Sequence, residues 1–188
     1  MVKDFLVKNM VCDRCIKVLR DELKEHNIKL LEIELGRLRL DIKIENEIEK
    51  FRGLLEKNGF SLIDDKAEKL VEQVKVELVK LLKKLPLELD KKLSDYLAAK
   101  LGRDYSKISK VFSFTEGITI EKYFIKLKTE KVKELIQIKE YNFTEIAQLL
   151  NYSNIHHLSS QFKSETGMSL SQYKSEQKNF RVSIDRII

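Results

Sequence analysis

Apolar positions in the first 65 residues change period in a regular order. Phe5, Leu6 and Val7 open a short strand, and Ile16, Val18, Leu19 and Leu23 follow at helical spacing up to His26 and Asn27. Leu30, Leu31, Ile33 and Leu35, then Leu38, Leu40, Ile42 and Ile44, largely alternate with polar residues and are interrupted at Gly36, the pattern of a hairpin. Ile48, Phe51, Leu54 and Leu55 return to helical spacing from Glu47. Asn58 and Gly59 stop that helix, and Phe60, Leu62 and Ile63 form a last strand. A further helical run follows Asp64 and Asp65, with Val71, Val74, Leu78, Leu81 and Leu85 three and four residues apart until Pro86 closes it. Its apolar face suits a symmetry mate across a short coiled coil, giving a homodimer, or the core of its own domain. Leu70, Val76, Val79 and Leu82 widen the arc beyond a narrow seam and favour the second.

The remainder repeats itself at an offset of about 50 residues. Leu93, Ser94 and Asp95 lie over Phe143, Thr144 and Glu145; Ile108 and Ser109 over Leu158 and Ser159; Phe112 over Phe162; Gly117 over Gly167; Thr119 over Ser169; Tyr123 over Tyr173. Each copy reads as a short helix, a turn, a second helix and a glycine stop. In the second copy Thr144 or Asn142 caps a helix through Ile146, Leu149 and Leu150, Asn151 and Ser153 make the turn, and Ile155, Leu158 and Phe162 form the buried stripe of the next helix. Ile120, Tyr123, Phe124, Leu127, Val132 and Leu135 mark a long helix between the copies. The fold class is therefore α+β. A ferredoxin-like βαββαβ sandwich, with two helices on one face of an antiparallel sheet, occupies residues 1–65, and an all-α tandem helix-turn-helix domain occupies residues 66–188.

Composition narrows the function. The chain has 188 residues, 43% apolar and 35% charged, with one proline, which suits one or two water-soluble, mostly helical domains. No apolar stretch is long enough for a membrane span, and Lys3, Asp4 and Lys8 do not fit a secretory signal, so a cytoplasmic location is expected. The positive charge is uneven: residues 1–65 hold 13 Lys and Arg against 14 Asp and Glu, whereas residues 66–188 hold 23 against 16. A surplus confined to one domain suits a polyanion partner, because each cation set on a phosphate releases condensed counterions. The chain contains no G-x-S-x-G, P-loop, H-E-x-x-H or dinucleotide fingerprint, so an enzyme is not expected.

Cys12 and Cys15 lie where the first strand passes into the first helix, three residues apart, so both thiolates can reach one ion. In a reducing compartment such a pair reads as a metal or redox site, and the helix dipole with Arg14 should make the thiols more acidic. Two sulfur donors suit Cu(I) or another soft metal ion, whereas structural zinc wants four ligands. The aromatic and proline neighbours of a thioredoxin-type site are missing. Met10-Val11-Cys12-Asp13-Arg14-Cys15 and Asn58-Gly59-Phe60 resemble the M-x-C-x-x-C and G-[YF] motifs of the heavy-metal-associated (HMA-like) domain of copper chaperones and metal-transporting ATPases. That resemblance implies that Cys12 and Cys15 are metal ligands and that Met10 packs inward; Asn9 stands where the family commonly has glycine. The competing reading is a retained fold with two ordinary thiols that serves as a docking or dimerisation module.

Residues of about 70–180 carry a second resemblance. Thr144-Glu145-Ile146-Ala147, Asn151-Tyr152-Ser153, Leu158-Ser159-Ser160-Gln161-Phe162-Lys163, Glu165-Thr166-Gly167-Met168-Ser169 and Tyr173-Lys174 look like the pattern I-A-x-x-x-G-[FY]-S, F-S-x-x-F-K, G-x-[ST]-P and Y-[RK] of the AraC/XylS family. Asn151, Leu158 and Leu170 replace the common glycine, aromatic and proline. The resemblance implies a tandem helix-turn-helix binder of double-stranded DNA.

In such proteins the second helix of each unit enters the major groove. Burying Ile155, Leu158 and Phe162 leaves His156, Ser159, Ser160 and Lys163 outside, and burying Ile108 and Phe112 leaves Ser106, Lys107, Ser109 and Lys110. Lys110, His156 and Ser160 are best placed for bases, Lys107 and Lys163 for phosphates. Neither helix carries arginine, the residue best suited to guanine. His156 and His157 point about 100° apart and so do not form a metal pair. The expected function is a sequence-specific transcriptional regulator modulated by a soft metal or by thiol redox state at Cys12 and Cys15. The alternative is a metal-trafficking or storage protein whose helical half docks onto a protein partner.

Overall fold

A computed structural model describes residues 1–42, 45–176, 181, 182, 184 and 187. Ile44, assigned above to the hairpin, lies outside the described residues. The chain divides into two compact units, Met1–Val76 and Glu77–Ile188.

Unit 1 begins with β1 (Val2–Lys8), α1 (Asp13–Glu25), β2 (Lys29–Glu34), β3 (Arg37–Asp41), α2 (Glu45–Lys57) and β4 (Ser61–Leu62). The four strands form one sheet in the order β2-β3-β1-β4, with every neighbouring pair antiparallel. The register sets Phe5 opposite Leu38 and Asp4 opposite Arg39, so alternation sends the first pair to one face and the second to the other. Val7, Leu38 and Leu40 from the sheet, Leu19 and Leu23 from α1, and Phe51, Leu54 and Leu55 from α2 share one core. Phe5 meets Phe51 edge to face at 5.2 Å. The opposite face is ionic: Asp4 accepts from Arg37 at 2.9 Å and Arg39 at 3.1 Å, and Arg39 pairs with Glu32 at 3.0 Å.

Gly36, at the hairpin turn, has φ +72, and a Cβ there would lie 2.8 Å from Val76. Only glycine satisfies both the left-handed turn and this close approach. Val76 belongs to α3 (Lys66–Lys83), so the first part of this helix belongs with unit 1, and the units divide inside it. The sequence puts the boundary at 65, ahead of α3, because periodicity shows that a helix has an apolar face but not what it leans on. Val71, Val74 and Leu78 are buried, whereas Leu81 is only half-buried near the helix end.

Unit 2 continues with α4 (Leu93–Leu101), α5 (Tyr105–Glu116), α6 (Ile120–Ile138), α7 (Phe143–Leu149), α8 (Ile155–Thr166) and α9 (Leu170–Glu176). The duplication is structural. α7, α8 and α9 each begin 50 residues after α4, α5 and α6 respectively. Phe112 contacts Tyr123 at 5.6 Å in the first copy, and Phe162 contacts Tyr173 at 5.6 Å in the second. Gly117 and Gly167 end α5 and α8 in the left-handed conformation. All six apolar positions read for the long helix α6 are buried, and it packs against α5, α7, α8 and α9.

Candidate nucleic-acid interface

Each repeat presents its second helix by the same local devices. α5 starts at Asp104, whose Oδ1 accepts from the amides of Ser106 at 2.9 Å and Lys107 at 3.3 Å. α8 starts at Asn154, whose Oδ1 accepts from the amide of His157 at 2.9 Å. These caps satisfy amides that the first helical turn leaves without partners. Ahead of α8, Asn142 and Glu145 form a reciprocal capping box on α7, so Asn142, not Thr144, is the cap. The turn between α7 and α8 has Asn151 at φ 54, where asparagine is tolerated in place of glycine. Tyr152 follows it into the interior and donates from its hydroxyl to Gln161 at 2.7 Å.

With these starts in place, Ile108 and Phe112 are buried under α5, and Leu158 and Phe162 under α8. Ile155 is only half-buried. Of the contact candidates, Ser106, Lys107, Lys110, His156, Ser160 and Lys163 are exposed, and Ser109 and Ser159 are half-buried beside the core stripes. The side chains of Lys110, His156, Ser160 and Lys163 reach no hydrogen-bond or ion-pair partner among the described residues. Ser106 differs: its hydroxyl donates to Asp104, so it serves the cap. His157 is held by the turn, with Nδ1 3.2 Å from the Ser153 hydroxyl and its ring edge-on to Tyr152 at 5.3 Å. The arrangement offers two short helices with cationic and hydroxyl-bearing outer faces and apolar inner ones.

Two features escaped the sequence reading. Phe114 on α5 is 91% exposed; its position two residues after Phe112, off the core stripe, was the available signal. Lys128 on α6 sits with its ammonium 3.7 Å from the centre of the Tyr152 ring, and burial pushes its pKa down to about 8. Nothing in the local pattern marks that lysine as half-buried.

In unit 1, Cys12 caps α1 and its sulfur accepts from the Cys15 amide at 3.4 Å. The two Sγ atoms lie 2.7 Å apart, both cysteines are free thiols, and Met10, two residues before Cys12, is wholly buried. The expected acidity is corrected at Cys15. Burial against the unit 1 core, followed by its contact with Cys12, pushes that thiol up to about 11. Asn9, with φ 69, provides the left-handed residue before Met10 and binds the Gly59 carbonyl through its side-chain amide at 3.3 Å. Among the described residues no group of three or more His, Cys, Asp and Glu could hold a metal ion, so any ion here has two protein donors from this pair. No helix of the described residues is long and apolar enough to cross a membrane.

Residues 97–176 match the protein family described as "Helix-turn-helix domain". This segment is a helix-turn-helix domain, of the fold seen in AraC-type regulators. Among solved structures, the C-terminal domain of AraT, a response regulator from Geobacillus stearothermophilus, is 22% identical with a TM-score of 0.51, over 63% of this chain and 95% of that one. A transcriptional regulator from Chromobacterium violaceum, described as containing an AraC-type DNA-binding domain, is 16% identical with a TM-score of 0.51, over 62% of this chain and 99% of that one. No curated protein matches the chain.

Proposed function

We propose that this protein is a sequence-specific DNA-binding transcriptional regulator that acts in the cytoplasm and is not an enzyme. The observation that carries the reading is the duplicated presentation of α5 and α8, each with its apolar face buried and Lys110 or Lys163 exposed on the outer side. The helix-turn-helix family match and the positive surplus of residues 66–188 support it. Lys107 and Lys163 would lie on phosphates; Lys110, His156 and Ser160 would meet base edges, with Ser109 and Ser159 beside them and Ser106 at the helix start. Two modules on one chain add modest contacts together, which offsets the absence of arginine from either helix.

Residues 1–65 are proposed as a ferredoxin-like, heavy-metal-associated type of domain that senses or docks. The strand order β2-β3-β1-β4 and the buried Met10 support this. Cys12 and Cys15 would hold a soft ion such as Cu(I), which accepts two sulfur donors; the donor set does not fit structural zinc. The bound ion would tie the start of α1 to the loop that Asn9 anchors, and so alter the surface unit 1 offers.

Selection of duplexes from a random library by the reduced 188-residue chain, followed by affinity measurements at rising salt, tests the reading. Retained sites whose affinity falls steeply with salt are expected. Failure to bind any duplex even at low salt would overturn it. Repeating the measurement with Cu(I) tests the modulation separately: equal affinity with and without the ion would remove the regulatory role of Cys12 and Cys15 and leave DNA binding standing.

A further inference from the structure

Phe114 is the most exposed large apolar residue of the described chain, and its position follows from the helix period. At about 100° per residue it lies about 20° around α5 from Lys107 and about 40° from Lys110, and on the far side from Phe112. Lys107, Lys110 and Phe114 therefore make one stripe opposite the buried Ile108 and Phe112. No acidic residue lies in the first turn of α5, and Glu116, the only one in the helix, points toward the core side and is half-buried. An isolated exposed apolar side chain is unremarkable on a protein surface. One held on the same line as two exposed lysines, on the outer face of a recognition helix, faces whatever those lysines face.

The second repeat sharpens the point. The residue 50 positions on is Ser164, exposed at the same place on α8. Folding of the module thus does not require an aromatic there, and the repeats differ in the side chain their outer faces present. Phe114 is about 6 Å along the helix axis from Lys110, less than two base-pair steps of about 3.4 Å. In the major groove the apolar feature that a phenyl ring can meet is the C5-methyl group of thymine.

We infer that Phe114 is a specificity-determining residue of the first helix-turn-helix module, reading the methyl group of a thymine in the major groove beside the base that Lys110 contacts. The inference rests on the DNA-binding function proposed above. It makes the two modules different readers: the first combines a cation with an apolar probe, and the second uses only polar side chains.

The test uses the whole 188-residue chain, as wild type, Phe114→Ser (the residue of the second repeat) and Phe114→Leu, each selecting sites from a random duplex library. Selected sites are then resynthesised with deoxyuridine in place of single thymidines, which removes only the methyl group. Wild-type sites should carry a thymine at a position left unconstrained by Phe114→Ser. Uracil there should weaken the wild type about fourfold, Phe114→Leu by a smaller factor, and Phe114→Ser not at all. Identical site preferences for wild type and Phe114→Ser, or an equal loss with uracil in both, would overturn the inference while DNA binding stands, and would assign Phe114 to a protein contact. Failure of the wild type to select any duplex would instead overturn the function on which it rests. Phe114 is almost wholly in solvent, so the variants should melt with the wild type.

Discussion

The ammonium of Lys128 on α6 lies 3.7 Å from the centre of the Tyr152 ring, in the turn between α7 and α8. A cation on α6 thus covers the aromatic residue that leads into α8. Tyr152 is held from its other end by Gln161 of α8, so α6, the turn and α8 are joined through one ring. The ring face favours the charged lysine, whereas burial opposes it and takes its pKa to about 8.

The pH dependence follows in sign. An ordinary lysine in the unfolded chain titrates near 10.5, so between about pH 8 and 10.5 the unfolded state binds more protons at this position than the folded one. Stability then rises with pH across that window, by up to about 1.4 kcal/mol per pH unit, and the gain is lost as pH falls through 8. Lys128→Met removes the titrating group and keeps its length. Urea unfolding of both proteins at pH 7.5 and 9.5 should show the wild type gaining on the variant at the higher pH; a constant difference would mean that the ring compensates the burial.

The two phenylalanines of α5 should respond oppositely to truncation. Phe112 is fully buried against Tyr123, so Phe112→Ala should cost about 3 to 5 kcal/mol. Phe114→Ala should stay within about 0.5 kcal/mol. Denaturant midpoints of the two variants measure the contrast, and comparable losses would mean that Phe114 is covered in solution.

These contrasts show what was legible in the sequence. Where burial follows a helix or strand period, as at Leu19 and Leu23, Leu38 and Leu40, or Leu158 and Phe162, the pattern alone identifies the inward face. The 50-residue offset survives because paired positions such as Gly117 and Gly167 have matching backbone tasks. What the pattern misses is set by contacts distant in sequence. Glu130 and Lys133 are charged residues outside the apolar pattern of α6, yet both are buried, and Glu130 accepts from the Val182 amide at 2.8 Å. The raised Cys15 thiol combines partial burial with its Cys12 neighbour, and the sequence shows the nearby Arg14 but not that burial.

The turn before α8 offers a backbone test. At φ 54, Asn151 occupies a conformation in which a β-carbon is penalised and an asparagine side chain is tolerated. Asn151→Ala should destabilise by about 1 kcal/mol, and Asn151→Gly should be neutral or stabilising. Equal midpoints for the two variants in urea would argue that the residue relaxes out of the left-handed region.

Lys163 and Lys110 are predicted to fail differently when shortened to alanine. Both are exposed and their side chains reach no partner among the described residues, so neither substitution should alter folding by more than about 0.5 kcal/mol. A lysine on a phosphate adds counterion release and no sequence information. Lys163→Ala should therefore lower affinity alike for all duplexes and reduce the slope of log affinity against log salt by about 0.9. A lysine on a base edge discriminates among bases, so Lys110→Ala should relax preference at one position of the selected site, with a loss of about 1 to 3 kcal/mol for the preferred sequence and little for others. Anisotropy titrations of both variants against a preferred and a scrambled duplex, at several salt concentrations, separate the roles. A uniform loss in both variants would place both lysines on the backbone and leave base readout to His156, Ser160 and their neighbours.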